Sequence, residues 1–180
     1  NITSFTFGNE VEYIPSYLCY GMENLKEITI PASVTSIGED AFRDCTGLTK
    51  VNYLGSVDKW VEIDFKYSYS TNSNSNPTYY AKDLYINNEL LTDVKITTAD
   101  SIRNYAFYNC QSIKSVEIGE GVTSIGEDAF YGCDKLRKVT AYPTTVPNVY
   151  ENSFAHYNAA LYVPCDVYDD YFFDEVFGTF

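Results

Sequence analysis

Apolar and polar positions follow two spacings that take turns along this chain. Segments such as Leu25 to Ile30 and Ile113 to Ile118 place apolar residues three apart and then two apart, ending in alternation of β-branched residues. That pattern predicts short strands with one buried face. Each is followed by a second short extended piece, Val34 to Ile37 or Val122 to Ile125. Then comes Gly-Glu-Asp-Ala-Phe, at Gly38 to Phe42 and Gly126 to Phe130. Acidic residues ahead of an Ala-Phe pair predict one helical or 3₁₀ turn, with the carboxylates explained by helix-terminus electrostatics.

These pieces recur as a unit. The phrase from Val34 to Phe42 reappears unchanged from Val122 to Phe130, and Phe107, Phe130 and Phe154 follow one another at intervals of 23 and 24 residues. A period of that size is the signature of a stacked solenoid. The inward slots read Ile37, Ala41, Phe42, Cys45, Leu48, Val51 and Tyr53 in one copy. They read Ile102, Ala106, Phe107, Cys110, Ile113, Val116 and Ile118 in another, and Ile125, Ala129, Phe130, Cys133, Leu136, Val139 and Ala141 in a third. Weaker end copies place Ile14, Leu18, Cys19, Met22, Leu25, Ile28 and Ile30 inward at one end. At the other they place Val149, Ser153, Phe154, Tyr157, Ala160, Val163 and Cys165 inward. Drift at both ends is what an open stack requires, and a lone coil buries too little to offset its ordering entropy.

The fuller phrase Ile-Pro-x2-Val-Thr-x-Ile-Gly-x2-Ala-Phe-x2-Cys-x2-Leu-x2-Val, spelled by Ile30 to Val51, resembles the BspA-type leucine-rich repeat of bacterial surface proteins. The resemblance implies an α/β solenoid, a right-handed stack of parallel strands with about five coils. It also implies a secreted or cell-surface location and a role in adhesion or protein binding rather than catalysis. The whole span 1–180 is expected to be one leucine-rich-repeat domain.

Two segments depart from the repeat. Phe42 and Phe107 are 65 residues apart, so 54–93 is expected to be a modified or inserted coil. In it Ser56 is placed to cap a short helix carrying Trp60, the tract Tyr69 to Pro77 reads as an exposed polar loop, and Asn87-Asn88 predicts a hairpin turn. From 166 to 180 the near-helical spacing of Val167, Tyr171, Phe172, Glu175 and Val176 predicts a C-terminal helical cap.

Composition narrows the functions. A formal charge of −13 disfavours nucleic acid and anionic membranes, which clustered cations capture. No apolar run approaches the ~18 residues that span a bilayer, and the start at Asn1 is compatible with a removed leader. The five cysteines occupy inward slots and are expected to be unpaired and buried, with Cys110 and Cys133 the pair nearest to bridging. With no C-x2-C and a single imidazole at His156, neither a metal site nor a nucleophile-base pair has its ligands, and no cofactor is expected. Of the acidic groups, only Asp169-Asp170 with Asp174-Glu175 invites Ca²⁺, and it lacks a Gly-punctuated loop.

Recognition is therefore assigned to surfaces. The outward strand residues Thr29, Asn52, Lys95, Glu117 and Thr140 form the leading candidate row, facing an extracellular protein such as a host matrix protein. The alternatives are a glycan site built on Trp60, Tyr79 and Tyr80, among 18 tyrosines in all, or a structural spacer.

Overall fold

Short strands stack in parallel at the corners of a repeating coil in the computed structural model, which describes residues 2–71, 73–150, 152–154 and 159–180. One ladder joins Ser4–Thr6, Glu27–Ile30, Lys50–Tyr53 and Leu84–Ile86. A second joins Asp93–Ile96, Ser115–Ile118, Lys138–Ala141 and Ala160–Tyr162. On the flank, Tyr13–Ile14, Ser36–Ile37 and Asp64–Phe65 form one parallel ladder, and Ser101–Ile102, Ser124–Ile125 and Asn148–Val149 another. Register follows the repeat slots: Val94 lies beside Val116 and Val116 beside Val139, all fully buried. A slip of one residue would turn each buried valine to solvent.

The stack is a β-solenoid of about seven turns with few helices, where the repeat phrase alone counts about five. The additional turns come from Ser4–Thr6, which lies ahead of the first recognisable phrase, and from strands inside the interruption. All inward slots of the three intact copies are buried. Their side chains, with those of the interruption, form one continuous core. Phe107 stacks on Phe130 at 5.2 Å, and Phe130 on Phe154 at 5.0 Å.

The expected helical turn does not form. Gly38 to Phe42 and Gly126 to Phe130 are successive hydrogen-bonded turns, with Asp40 and Asp128 both at φ 53° in the left-handed region. Alternate carbonyls that a helix would use internally accept instead from the neighbouring coil. Tyr17, Cys19 and Gly21 donate to the carbonyls of Glu39, Ala41 and Arg43, and Tyr105, Phe107 and Asn109 donate to those of Glu127, Ala129 and Tyr131. Alternate donors pairing with the next coil make this corner strand-like, so helix-terminus electrostatics do not explain the carboxylates. The glycine of the phrase has a packing cause: a Cβ on Gly38 or Gly126 would lie 2.4 Å from the backbone nitrogen of Ser16 or Asn104 in the neighbouring coil.

The interruption enters the stack on both sides. Ser56 Oγ accepts from Lys59 N and caps the helix Val57–Val61, which carries Trp60 inward. Asp64–Phe65 then pairs beside Ser36–Ile37. The chain next projects as an antiparallel hairpin, Tyr67–Ser68 against Ser73–Asn74, and returns through the helix Thr78–Ala81 to Leu84–Ile86. The tract read as an exposed loop thus holds a strand and three buried residues, Ser75, Asn76 and Pro77. Ser75 donates to the Ile37 carbonyl at 2.9 Å, and Asn76 Nδ2 donates to the carbonyls of Tyr105 and Ala106 at 2.7 and 3.0 Å. Asn87 and Asn88, both at positive φ, make the hairpin turn that folds Glu89–Leu90 back on Leu84–Ile86. That antiparallel strand ends the first ladder, and the second begins at Asp93.

The ends differ from the slot assignment. Leu18 is exposed although it occupies the slot of Ala41. Leu161, not Val163, pairs beside Val139, because the last coil is two residues shorter between its Phe and its strand. Ala160 and Cys165 are consequently exposed and Val163 half-buried. Tyr157 lies outside the described residues. The closing segment is a broken series, with Cys165–Val167 and Phe177–Thr179 as 3₁₀ turns around the helix Tyr168–Phe172. Tyr171, Val176 and Phe177 are buried, Val167 is half-buried and Phe172 is exposed. Phe177 and Phe180 close over Phe154.

Candidate binding surfaces

Strand pleating turns every second residue outward, and the ladder register decides which of them meet. The five residues of the predicted row fall into two groups. Thr29 lies beside Asn52 in the first ladder, and Lys95, Glu117 and Thr140 are neighbours in the second. Lys95 Nζ sits 3.4 Å from Glu117 Oε2, an exposed pair worth well under about 1 kcal/mol. Asn52 is 2% exposed, contrary to expectation. The Asn87-Asn88 turn folds over it, and Asn52 Oδ1 accepts from Asn88 N at 2.8 Å. It stabilises that turn and is closed to a ligand.

Two outward tyrosines that the sequence reading did not assign to this row extend these groups. Tyr85 lies beside Asn52 with Lys50 Nζ 5.3 Å above its ring, and Lys50 also meets Glu27 Oε1 at 2.6 Å. Tyr162 lies beside Thr140 with Lys138 Nζ 5.1 Å above its ring. Both sit between apolar residues, in Leu84-Tyr85-Ile86 and Leu161-Tyr162-Val163. That alternation was the signal available.

Trp60, expected to meet a glycan, is fully buried. Its ring packs on Tyr53 at 5.2 Å and Phe65 at 5.3 Å, and Nε1 donates to the Ala106 carbonyl at 2.7 Å. It joins coils that the interruption would otherwise separate. Tyr79 is 39% exposed, but one face is stacked on Tyr108 at 5.7 Å, and Tyr108 stacks in turn on Tyr131. Tyr80 is half-buried, and its Oη accepts from Asp44 N. Of the predicted glycan residues only Tyr79 offers much surface.

A different concavity, of about 570 Å³, lies beside the flank ladder. Its floor carries the small residues Ser101, Ser124 and Gly126. The hairpin tyrosines Tyr67 and Tyr69 and, from the last coil, Tyr150 line it. Tyr67 is stacked on buried Tyr105 at 5.8 Å, whereas Tyr69 is 91% exposed and Tyr150 57%. Asp64, Lys66, Arg103 and Glu127 supply its charges. Burial, then the neighbouring Glu127 and Asp128, raise the Tyr105 phenol. Burial and Glu127 likewise push the Asp128 carboxyl up.

Among the described residues no group of three or more His, Cys, Asp or Glu is placed to hold a metal ion, and no helix is long and apolar enough to cross a membrane. His156 lies outside the described residues. All five cysteines are free, and Cys19, Cys45, Cys110 and Cys133 are buried. Cys45 Sγ donates to the Cys19 carbonyl and Cys133 Sγ to that of Phe107, so the thiols bond across coils without bridging.

The sequence model of the BspA type leucine rich repeat region matches residues 1–99 and 78–167 with six copies. No curated protein sequence matches the chain. Among solved structures, the Treponema pallidum leucine rich repeat protein is similar at 17% identity and TM-score 0.32, over 90% of this chain and 52% of that one. A leucine rich cell surface protein from Faecalibacterium prausnitzii is similar at 22% identity and TM-score 0.37, over 78% of this chain and 48% of that one. The chain thus spans about half the length of either. With the repeat matched along most of its length, the chain belongs to the BspA-type leucine-rich-repeat family.

Proposed function

We propose that the chain is a non-enzymatic adhesion module that holds an extracellular protein on the outward face of its second strand ladder, within a secreted or cell-surface bacterial protein. On this reading 1–180 works as one repeat domain, with 54–93 as a modified coil and 166–180 as its cap. The observation carrying the proposal is the group Lys95, Glu117, Thr140, Lys138 and Tyr162, side by side on strands backed by the buried valines. A tyrosine flanked by charges of both signs on a rigid sheet gives contact area at low entropic cost. The family's interaction-scaffold character and the cell-surface description of a structural neighbour support the same reading.

The test begins with purified extracellular-matrix proteins captured on the immobilised chain. Lys95→Glu with Thr140→Arg is then expected to weaken the captured partner at least about tenfold, with thermal stability nearly unchanged. Retention of full affinity by the double variant would refute the assignment to this face.

A further inference from the structure

The concavity beside the flank ladder is chemically unlike the strand face. We propose that it is a binding site for a neutral oligosaccharide, stacked against Tyr69 and Tyr150 and hydrogen-bonded by Arg103, Glu127, Asn104 and Asn148.

Shape gives the first reason. A regular stack has smooth sides, but here the hairpin Tyr67–Ser68/Ser73–Asn74 stands out from one coil while the coils beside it carry serine and glycine. The resulting groove of about 570 Å³ lies within the roughly 300–1,000 Å³ usual for ligand sites. Its wall is fixed from behind. Thr71 Oγ1 and Ser73 Oγ donate to the Asp40 carboxylate at 2.8 and 2.7 Å, and Ser75 and Asn76 are pinned to the core. Tyr69 thus stands on an anchored hairpin, edge-on to Tyr67 at 5.1 Å, and its ring, still 91% exposed, leaves most of its surface for a ligand to cover.

Charge gives the second reason. On a molecule of net charge −13, the groove holds two carboxylates, Asp64 and Glu127, and two cations, Lys66 and Arg103, so its formal charges cancel. Lys66 is paired with Asp64 at 2.5 Å. Glu127 is tethered by the Tyr105 hydroxyl at 3.4 Å and by Asn152 Nδ2 at 3.5 Å. Arg103 makes no ion pair among the described residues. Planar guanidinium, carboxylate and amide groups offer donors and acceptors together, which suits hydroxyls that both donate and accept. Aromatic rings suit the C–H faces of sugars by the same apolar burial that makes tyrosine a recognition residue. An anionic chain would meet Glu127 and the repulsive field of the whole molecule.

The experiment titrates the intact chain by calorimetry and NMR with β-1,4-linked glucose, mannose and N-acetylglucosamine tetrasaccharides, alongside a uronate tetrasaccharide and a glutamate-rich decapeptide. Binding of a neutral tetrasaccharide is expected, with its Kd little changed as salt rises tenfold. Tyr69→Ala and Arg103→Gln should each weaken it about tenfold. Tyr79→Ala and Lys95→Glu should leave it unchanged. Tyr69 and Arg103 are exposed, and an unaltered melting temperature verifies that their variants remain folded. Failure of every neutral tetrasaccharide at millimolar concentration would overturn the proposal, as would binding indifferent to Tyr69→Ala. Exclusive, steeply salt-dependent binding of the uronate or the peptide would overturn it as well.

Discussion

Trp60 offers the sharpest test of how the interruption is held in the stack. Truncating it to alanine deletes a fully buried ring and two aromatic contacts, to Tyr53 and Phe65. Buried aromatic-to-alanine changes cost about 3–5 kcal/mol, and the two ring pairs place this one near the top of that range. Against a total stability of roughly 5–15 kcal/mol, the variant loses a third or more of the whole. For a chain of this size that is a fall of roughly 10–15 °C in melting temperature. Trp60→Phe separates packing from the hydrogen bond. The ring remains, but Nε1–H no longer donates to the Ala106 carbonyl. That carbonyl still accepts from Asn76 Nδ2 at 3.0 Å, so the acceptor is not orphaned and the expected cost is only about 1–2 kcal/mol. In an Asn76→Ala background the same change strips the second donor as well and is expected to cost about 1–3 kcal/mol more than in the parent. Urea unfolding followed by far-ultraviolet circular dichroism measures the parent and the four variants. Trp60 is the single tryptophan, so iodide quenching of its emission gives an independent check. A loss below about 1 kcal/mol for Trp60→Ala, or quenching as ready as that of free tryptophan, would refute the placement of this ring.

Two further predictions follow from the thiols. At pH 8 the native protein is expected to release one equivalent of thiol to Ellman's reagent, from exposed Cys165, and five after denaturation; a Cys165→Ser variant that still reacts promptly would contradict the burial of the other four. Stability is expected to fall as pH rises from about 9 towards 11, because burial pushes Cys19 and Cys45 up to about 11 from an ordinary 9.0 and Cys110 up to about 12. With the native pKa above the unfolded one, the contribution is complete below pH 9 and is lost as the unfolded chain sheds protons first. Cys45→Ala is expected to fall less steeply, and a parent urea midpoint that stays flat or rises across this window, or a variant that falls as steeply as the parent, would contradict the reasoning.

The intact copies were legible because every inward slot is apolar and the strand ends alternate. Ile37, Phe42, Cys45, Leu48 and Val51 each lie where the pattern puts them. The turn at Gly38 to Phe42 was not legible, since acidic residues before Ala-Phe suit a helical turn and a left-handed turn alike. Amides donating to carbonyls one coil away settle the choice, and no local window contains them. Asn76 was hidden for a similar reason. A Ser- and Asn-rich tract looks like solvent-exposed chain until Tyr105 and Ala106 are brought to it by the fold. The last coil misled through length, because a two-residue deletion moves Val163 out of the slot that Leu161 fills. Of the candidate surfaces, Lys95, Glu117 and Thr140 came from alternation alone. The groove draws on residues from Asp64 to Tyr150 and has no contiguous sequence signature.

The two identical Gly-Glu-Asp-Ala-Phe phrases show how the interruption acquires structure of its own. Asp40 and Asp128 have the same backbone conformation and the same local sequence, yet their surroundings diverge. Beside Asp40 the hairpin supplies Thr71 and Ser73, and the carboxylate accepts from both while Arg43 approaches to 3.9 Å. The residue is accordingly buried to 1% exposure with its oxygens occupied. Among the described residues Asp128 meets Asn152 rather than a hairpin, remains half-buried, and has its carboxyl pushed up by burial and by Glu127. One carboxylate therefore anchors the projecting wall of the groove, while Glu127, beside the other, lines its floor side. A repeat built for stacking becomes a recognition surface where one coil departs from the pattern, because the departure supplies both the concavity and new partners for a residue the repeat had already placed.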